Sequence, residues 1–183
     1  MSLEYGFVFA KEDCIQCRGC ETACKSWRNV ELGPKWRRVH ALWSGKYPNV
    51  GMASASVSCM HCVGPACVKA CPVKAITKRK EDGLVVVDKS KCIGCQTCLS
   101  ECPYGAPQFG KGKDDKMQKC DMCYRVVDLS KDLPPCAAFC PTKALTVKKI
   151  ESAEKVAAEK AMTKLLSGLP KNALGERADR RFS

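Results

Sequence analysis

Cys92-Ile93-Gly94-Cys95-Gln96-Thr97-Cys98-Leu99-Ser100-Glu101-Cys102-Pro103 spaces four cysteines as C-x2-C-x2-C-x3-C and sets a proline directly behind the last. Iron–sulfur clusters ask this spacing of a backbone. Three thiolates at every third residue converge on one cube from a single tight loop. A fourth, on the helix that follows, points toward a neighbouring cube. Gly94 has no Cβ to keep the loop away from inorganic sulfide. Pro103 fixes φ behind the last ligand and turns the chain away. Zinc accepts cysteine pairs but has no use for a third cysteine at this spacing.

The pattern repeats with variations. Cys14, Cys17, Cys20 and Cys24 have the same spacing, with Lys25 where proline would stand. Cys59, Cys62, Cys67 and Cys71 have one gap widened and end on Pro72. In Cys120, Cys123, Cys136 and Cys140 the middle gap is much longer, and Pro141 follows. All 16 cysteines of the 183 residues fall into these groups of four. The arithmetic predicts four cluster sites. So cysteine-rich a chain also raises a disulfide scaffold. Adjacent C-x-x-C positions suit metal better than structural bridges, however, and no secretory segment is expected in residues 1–10, which carry Glu4 and only a six-residue apolar run before Lys11.

The chain has 31 Lys and Arg against 19 Asp and Glu, a formal net charge of +12. Such a balance ordinarily suggests nucleic acid or an anionic membrane. A cubane with four thiolates carries roughly −2, so four of them bring the loaded protein to about +4. Much of the basic excess is then internal compensation, and no nucleic-acid partner is expected. The basic runs Trp36-Arg37-Arg38, Lys78-Arg79-Lys80 and Lys148-Lys149 read as solvated faces. No segment reaches the roughly 18 apolar residues needed to span a bilayer, so any membrane association is expected to run through a partner.

In chain order, residues 5–9 read as a strand leading into the first ligand loop. Residues 20–29 read as a helix carrying Cys24, with Trp27 packed beneath it. After Gly33-Pro34, residues 35–43 alternate like a strand, residues 45–51 form a loop, and residues 53–58 form a small-residue strand. Residues 75–78 and 84–87 flank Asp82-Gly83, a hairpin signal in which glycine supplies the positive φ. One helical turn is expected before Pro134-Pro135, and a strand over residues 144–150. From Glu151, apolar positions Ala153, Val156, Ala157, Ala161, Leu165 and Leu166 recur at helical spacing, and Gly168 is a natural stop. Residues 169–183 have no periodicity. This helix packs either on its own domain or, with the tail, on a partner. Trp27, Trp36 and Trp43 read as packing residues, His61 as a hydrogen-bonding neighbour of a cluster and Tyr104 as a shield over one. The ligand groups leave little room for a large apolar core, so the clusters themselves are expected to fill it, and the apoprotein is expected not to fold.

The order of the four groups resembles the electron-transfer subunit of complex iron–sulfur molybdoenzymes. Three phrases are similar to the dimethyl sulfoxide reductase iron–sulfur subunits in particular: Glu81-Asp82-Gly83-Leu84-Val85-Val86-Val87-Asp88, Cys92-Ile93-Gly94-Cys95 and Cys102-Pro103-Tyr104-Gly105-Ala106-Pro107-Gln108. The likeness runs from about Tyr5 to Ile150. It implies an α+β fold of two bacterial-ferredoxin-like units holding four [4Fe-4S] clusters. Residues 1–58 and 103–150 would form the first unit and residues 59–102 the inserted second; residues 151–183, outside the likeness, are expected to form a C-terminal helix and tail that serve as a docking element. It implies crosswise ligation, which the ferredoxin rule of a fourth cysteine reaching the other cluster also predicts. Cys14, Cys17 and Cys20 would take Cys140, and Cys24 would join Cys120, Cys123 and Cys136. Cys59, Cys62 and Cys67 would take Cys102, and Cys71 would join Cys92, Cys95 and Cys98. Nitrate reductase relatives have Trp at the position of Cys95 and a three-iron cluster there; with Cys95 present, four cubanes are expected.

The resemblance further implies a wire between a molybdopterin-containing catalytic subunit and a membrane anchor subunit that reacts with quinone. The chain itself would be non-catalytic, membrane-associated through its partners or cytoplasmic. The sequence offers no paired acid and base, no activated nucleophile and no nucleotide fingerprint. Competing readings are the same wire in a hydrogenase or formate dehydrogenase, a free polyferredoxin, and a zinc-rich nucleic-acid module.

Overall fold

The computed structural model describes residues 3–110, 115–167 and 169. Three two-stranded antiparallel sheets carry short helices and ligand loops between them. Strand β1 (Leu3–Phe9) precedes the first ligand loop and pairs with β6 (Leu145–Glu151), which follows the last, from Leu3 opposite Glu151 to Phe9 opposite Leu145. The two ends of the cysteine-bearing region are thereby closed on each other. Helix α1 (Gly19–Trp27) follows Arg18, whose φ of 58° marks the turn out of the ligand loop. Glu21 in its first turn and Lys25 in its last suit the helix dipole.

Strands β2 (Arg38–Lys46) and β3 (Asn49–Val57) form one long hairpin around Tyr47-Pro48. This corrects two expectations. The strand begins three residues later than its alternation suggested, and residues 45–51 are mostly strand rather than loop. Cross-strand pairing continues to Lys46 opposite Asn49 because the turn itself is only two residues long. Alternation misled at the start: Arg37, Arg38 and Val39 are consecutive and all buried. The Trp36-Arg37-Arg38 run is therefore not a solvated face, because backbone and hydroxyl oxygens receive both guanidiniums.

Helices α2 (Ala66–Lys69) and α3 (Thr97–Ser100) pack together beside the β4 (Ile76–Lys78) and β5 (Val85–Val87) hairpin. Gly83, at φ +70°, makes the expected turn. Helix α4 (Pro135–Ala138) packs on α1. The turn expected before the prolines is present, with Val127 N–H donating to the Cys123 carbonyl and Asp132 N–H to that of Asp128; α4 is a further element that begins at the prolines, since a proline at the first helical position sacrifices no intrahelical hydrogen bond.

Helix α5 (Ser152–Leu166) lies on β1, β3 and β6 of its own chain. Its buried face is Lys155, Met162 and Leu166, whereas Ala153, Ala157 and Ala161 are exposed, so the apolar stripe expected from spacing is rotated. Lys155 turns inward because its ammonium meets the Glu4 carboxylate at 2.8 Å, and Lys78 meets the same oxygen at 2.8 Å. Gly168 and residues 170–183 lie outside the described residues.

Cysteines are part of the core. Cys20, Cys24, Cys59, Cys120 and Cys136 pack with Phe7, Val39, Leu84, Met122 and Leu145. A second cluster joins Met162 and Leu166 of α5 to Val57, Met60 and Tyr104, and a third packs Cys98 with Ile76, Val85 and Met117. Two of the tryptophans do not pack as expected: Trp27 and Trp43 are 59% and 68% exposed. Trp36 is half-buried, and its indole N–H donates to Gln118.

Candidate metal centres

Each ligand loop makes the same local turn. The residue before the second cysteine of every group has positive φ: Gln16 57°, His61 49°, Gly94 72° and Met122 56°. Alternating right- and left-handed residues turn successive N–H groups to one side, forming the concavity that receives anionic clusters and phosphates. Only glycine adopts this geometry freely, so three of the four loops hold a strained residue.

A second device recurs behind the final cysteines. Cys71-Pro72-Val73-Lys74-Ala75, Cys102-Pro103-Tyr104-Gly105-Ala106 and Cys140-Pro141-Thr142-Lys143-Ala144 share a proline, then a positive φ at Lys74 (50°), Gly105 (55°) and Lys143 (55°). The turn aims the alanine N–H back at the cysteine. Ala75 donates to Cys71 Sγ at 3.2 Å and Ala106 to Cys102 Sγ at 3.4 Å. At Cys140 burial alone would raise the thiol pKa, but N–H groups of Leu145, Ala144 and Thr142 and the Thr142 hydroxyl carry it below the ordinary value. All three alanines are buried, small enough to let the backbone close on sulfur. Further donors reach Cys92 from Met117 N–H at 3.3 Å, Cys120 from Met122 N–H at 3.3 Å and Cys95 from the Thr97 hydroxyl at 3.4 Å. Hydrogen bonds of this kind favour thiolate over thiol.

All 16 cysteines are free of disulfides. Their mutual charge interactions follow neighbourhoods and also run between them. Cys62 is acted on by Cys59, Cys102 and Cys67, and Cys67 by Cys59 and Cys102. Cys71, Cys92, Cys95 and Cys98 line one cavity with Ile76 and Met117, and Cys98 is acted on first by Cys67 and then by Cys95, Cys92 and Cys71. Cys24 is acted on by Cys136 and Cys123, Cys120 by Cys24, Cys136 and Cys59, and Cys20 by Cys136. Cys17 and Cys20 lie at the start of α1 and Cys140 follows α4, the helix that α1 packs on; Gly19 there comes near both Cys17 Sγ and the Phe139 carbonyl, while the Cys14 carbonyl accepts from the Ser54 hydroxyl of β3 at 3.3 Å. Among the described residues no three His, Cys, Asp or Glu side chains close around a lone metal ion.

Burial pushes the thiols of Cys24, Cys98 and Cys123 up to about 12 and that of Cys67 to about 11, with Cys62 and Cys120 higher again. Neighbouring thiolates add to the effect. Such sites hold thiolates only against a concentrated positive charge, and iron supplies one by deprotonating the thiol it coordinates. Clustered cysteines, apolar walls and N–H donors aimed at sulfur all fit [4Fe-4S] groups.

Of the residues around these sites, Lys119 and Glu159 gave no sequence signal, whereas Arg37 was expected on a solvated face and His61 and Tyr104 beside a cluster. Arg37 and Lys119 are buried among the cysteine loops, and Lys119 donates to the carbonyls of Val85 and Cys120. Glu159 of α5 accepts the Val63 N–H at 3.0 Å, tying the helix to the second ligand loop. Tyr104 is buried beside Cys62 and Cys102, and its hydroxyl donates to the Glu159 carbonyl. His61 is fully buried; its Nδ1 accepts the Val85 N–H at 3.0 Å, which leaves the proton on Nε2, where no partner is present among the described residues. Burial, then Lys119, Lys155, Lys78 and Arg37, hold its pKa well below the usual range.

Comparison with known proteins agrees. Residues 50–150 match the 4Fe-4S dicluster domain, and residues 11–27 a 4Fe-4S binding domain. An anaerobic dimethyl sulfoxide reductase chain of Escherichia coli K12 is 41% identical over 164 residues, covering 85% of this chain and 78% of the relative. A formate dehydrogenase iron-sulfur subunit of Wolinella succinogenes is 40% identical over 72% of this chain and 74% of its own length. A sulfite dehydrogenase subunit of Allochromatium vinosum is 34% identical over 72% of this chain and 62% of its own length. With its cysteine loops folded toward sulfur in this way and its sequence matched across most of its length, the chain belongs to the family of iron–sulfur subunits typified by that of dimethyl sulfoxide reductase.

Proposed function

We propose that this chain is the non-catalytic electron wire of a larger oxidoreductase, carrying four [4Fe-4S] clusters between a molybdopterin-containing catalytic subunit and a membrane anchor subunit or another redox partner. One cluster belongs on Cys14, Cys17, Cys20 and Cys140 and a second on Cys24, Cys120, Cys123 and Cys136. The others belong on Cys59, Cys62, Cys67 and Cys102, and on Cys71, Cys92, Cys95 and Cys98. The observation that carries this is the gathering of disulfide-free cysteines, with Cys71, Cys92, Cys95 and Cys98 lining one cavity and Cys62 acted on by Cys59, Cys102 and Cys67, while backbone donors are aimed at their sulfurs. The pairing of β1 with β6 and of α1 with α4 supports a unit built from the first and last groups. The α2–α3 packing and the β4–β5 hairpin support an inserted second unit. When bound, each cluster supplies one-electron redox chemistry. The protein's own part is to ligate it, donate hydrogen bonds to its sulfurs and keep water away.

No helix among the described residues is long and apolar enough to cross a membrane, and membrane association, where it occurs, is assigned to a partner. Residues 169–183 are assigned as a docking segment. The formate dehydrogenase subunit of nearly equal identity favours a second reading, the same wire serving a formate-oxidising partner. Anaerobic purification tests the wire directly. About 16 iron and 16 sulfide per chain are expected, with a molybdenum-containing polypeptide captured by the full-length chain and captured less without residues 169–183. Iron near half that value removes the four-cluster assignment. Substrate turnover by the isolated chain removes the wire.

A further inference from the structure

Arg37 is fully enclosed, yet among the described residues no carboxylate pairs with it. One terminal nitrogen donates to Ser56 Oγ at 3.0 Å and the other to Ser58 Oγ at 2.9 Å, while the guanidinium lies over the Phe7 ring at 4.2 Å. Its Nε is buried without a partner. Serine hydroxyls and an aromatic face orient a guanidinium, but they do not neutralise it. A fully desolvated charge is tolerated only where an opposite charge answers it. Arginine also cannot escape by losing its proton. Ser56 Oγ, which receives the guanidinium, also lies 3.5 Å from Cys20 Sγ, and the charged groups that act most on Arg37 are the sulfurs of Cys136, Cys120, Cys20 and Cys24. These belong to the first and last cysteine groups, and hence to two different proposed clusters.

We propose that Arg37 is a positioning residue for electron transfer, a fixed buried cation that raises the reduction potential of the clusters held by Cys20 and by Cys24, Cys120 and Cys136. This rests on the cluster reading above. Reduction adds one electron, and one negative charge, to a cluster; a cation held close by favours that state over the oxidised one. Arg37 exchanges neither proton nor electron. The electron comes from one redox partner and leaves to another. The two serines and Phe7 keep the charge from swinging toward solvent, so its effect is constant.

The test is an anaerobic potentiometric titration, followed by electron paramagnetic resonance, on the full-length loaded chain, with iron and sulfide measured on every sample. Arg37→Gln removes the charge and Arg37→Lys retains it. Arg37→Met is a second neutral replacement, long enough to fill the site and without a polar head to leave unpaired. The expected result is that R37Q and R37M lower the midpoint of the cluster held by Cys20 or of that held by Cys24, Cys120 and Cys136 by a tenfold or larger change in its oxidised-to-reduced ratio, about 59 mV for one electron, whereas R37K stays close to wild type. Unchanged midpoints in loaded R37Q overturn the proposal, as does an equal fall in R37K, which would make geometry rather than charge the cause. Should R37Q not retain iron, R37M decides: a lowered midpoint upholds the role of Arg37 and an unchanged one overturns it. A wild-type chain without iron and sulfide is a distinct result, which overturns the cluster reading on which the proposal rests.

Discussion

Gly94 and Lys74 occupy the same left-handed region of backbone space, at φ +72° and +50°, and the difference between them sets opposite expectations. A Cβ on Gly94 would lie 2.9 Å from the Asp115 carbonyl oxygen, in addition to the strain of its φ. Gly94→Ala should therefore destabilise the loaded protein by about 1–2 kcal/mol from backbone strain alone, with early loss of iron from the Cys92 loop on mild heating. Lys74 already bears that strain so that Ala75 can donate to Cys71. Lys74→Gly relieves it at the expense of unfolded-state entropy, so a net change within about 1 kcal/mol is expected, with the spectrum of the cluster ligated by Cys71 unaltered. Thermal release of iron, followed by absorbance, separates the two. Close approach to sulfide is the role expected of Gly94 from sequence. The shared positive φ at Gln16, His61 and Met122 shows that the turn itself is the common requirement.

The C-terminal helix α5 is held by a buried charge cluster as much as by its apolar residues. Glu4 accepts from Lys155 and Lys78, each at 2.8 Å. Burial alone would raise the Glu4 carboxyl pKa, but the two ammonium groups outweigh it and hold the pKa below the ordinary value. A carboxyl depressed in the folded state contributes stability above its unfolded pKa and loses it as pH falls through the folded one. Protection of the α5 amides, taken relative to the intrinsic exchange rate at each pH, should therefore fall as pH drops below about 4.5, and the acid sensitivity should be weaker in Glu4→Gln. At neutral pH Glu4→Gln leaves Lys155 charged and uncompensated, a loss on the order of 3 kcal/mol. Lys155→Met leaves Glu4 with Lys78 and should cost less. The distal end of the β2–β3 hairpin behaves differently. Trp43 and its cross-strand partner Met52 are 68% and 54% exposed, so Trp43→Ser should change the stability of the isolated chain by no more than about 0.5 kcal/mol.

For the molecule as a whole, the cysteines are both core and proposed cofactor ligands. Cys20, Cys24, Cys59, Cys120 and Cys136 share one apolar cluster, so stripping iron should remove tertiary structure along with redox activity. Loss of near-ultraviolet circular dichroism on anaerobic chelation would show it; a chelated chain that retains its native signal would not fit. The crosswise assignment is tested at the same scale. Cys140→Ser should alter the electron paramagnetic resonance signal of the cluster on Cys14, Cys17 and Cys20, and Cys24→Ser that of the cluster on Cys120, Cys123 and Cys136. If each serine instead disturbed only the cluster of its own sequence group, the pairing across α1 and α4 would be wrong.

Local chemistry was legible in the sequence. Cysteine spacing identified the ligand loops, Asp82-Gly83 marked the β4–β5 turn, and the extent of α5 followed from its periodicity, because each depends on neighbours within a few residues. Determinants that lie far apart in the chain were not legible. The buried face of α5 turns on Lys155 reaching Glu4, 151 residues away. Arg37 and Arg38 looked like a solvated patch because their acceptors, Ser56 and Ser58 for one and the Tyr104 and Gly105 carbonyls for the other, arrive only when the strands and loops pack. The sequence alone singled out the cysteines proposed to hold iron, through their spacing. Only the tertiary structure decided which charges were buried beside them, since burying a charge requires partners that no local pattern can specify.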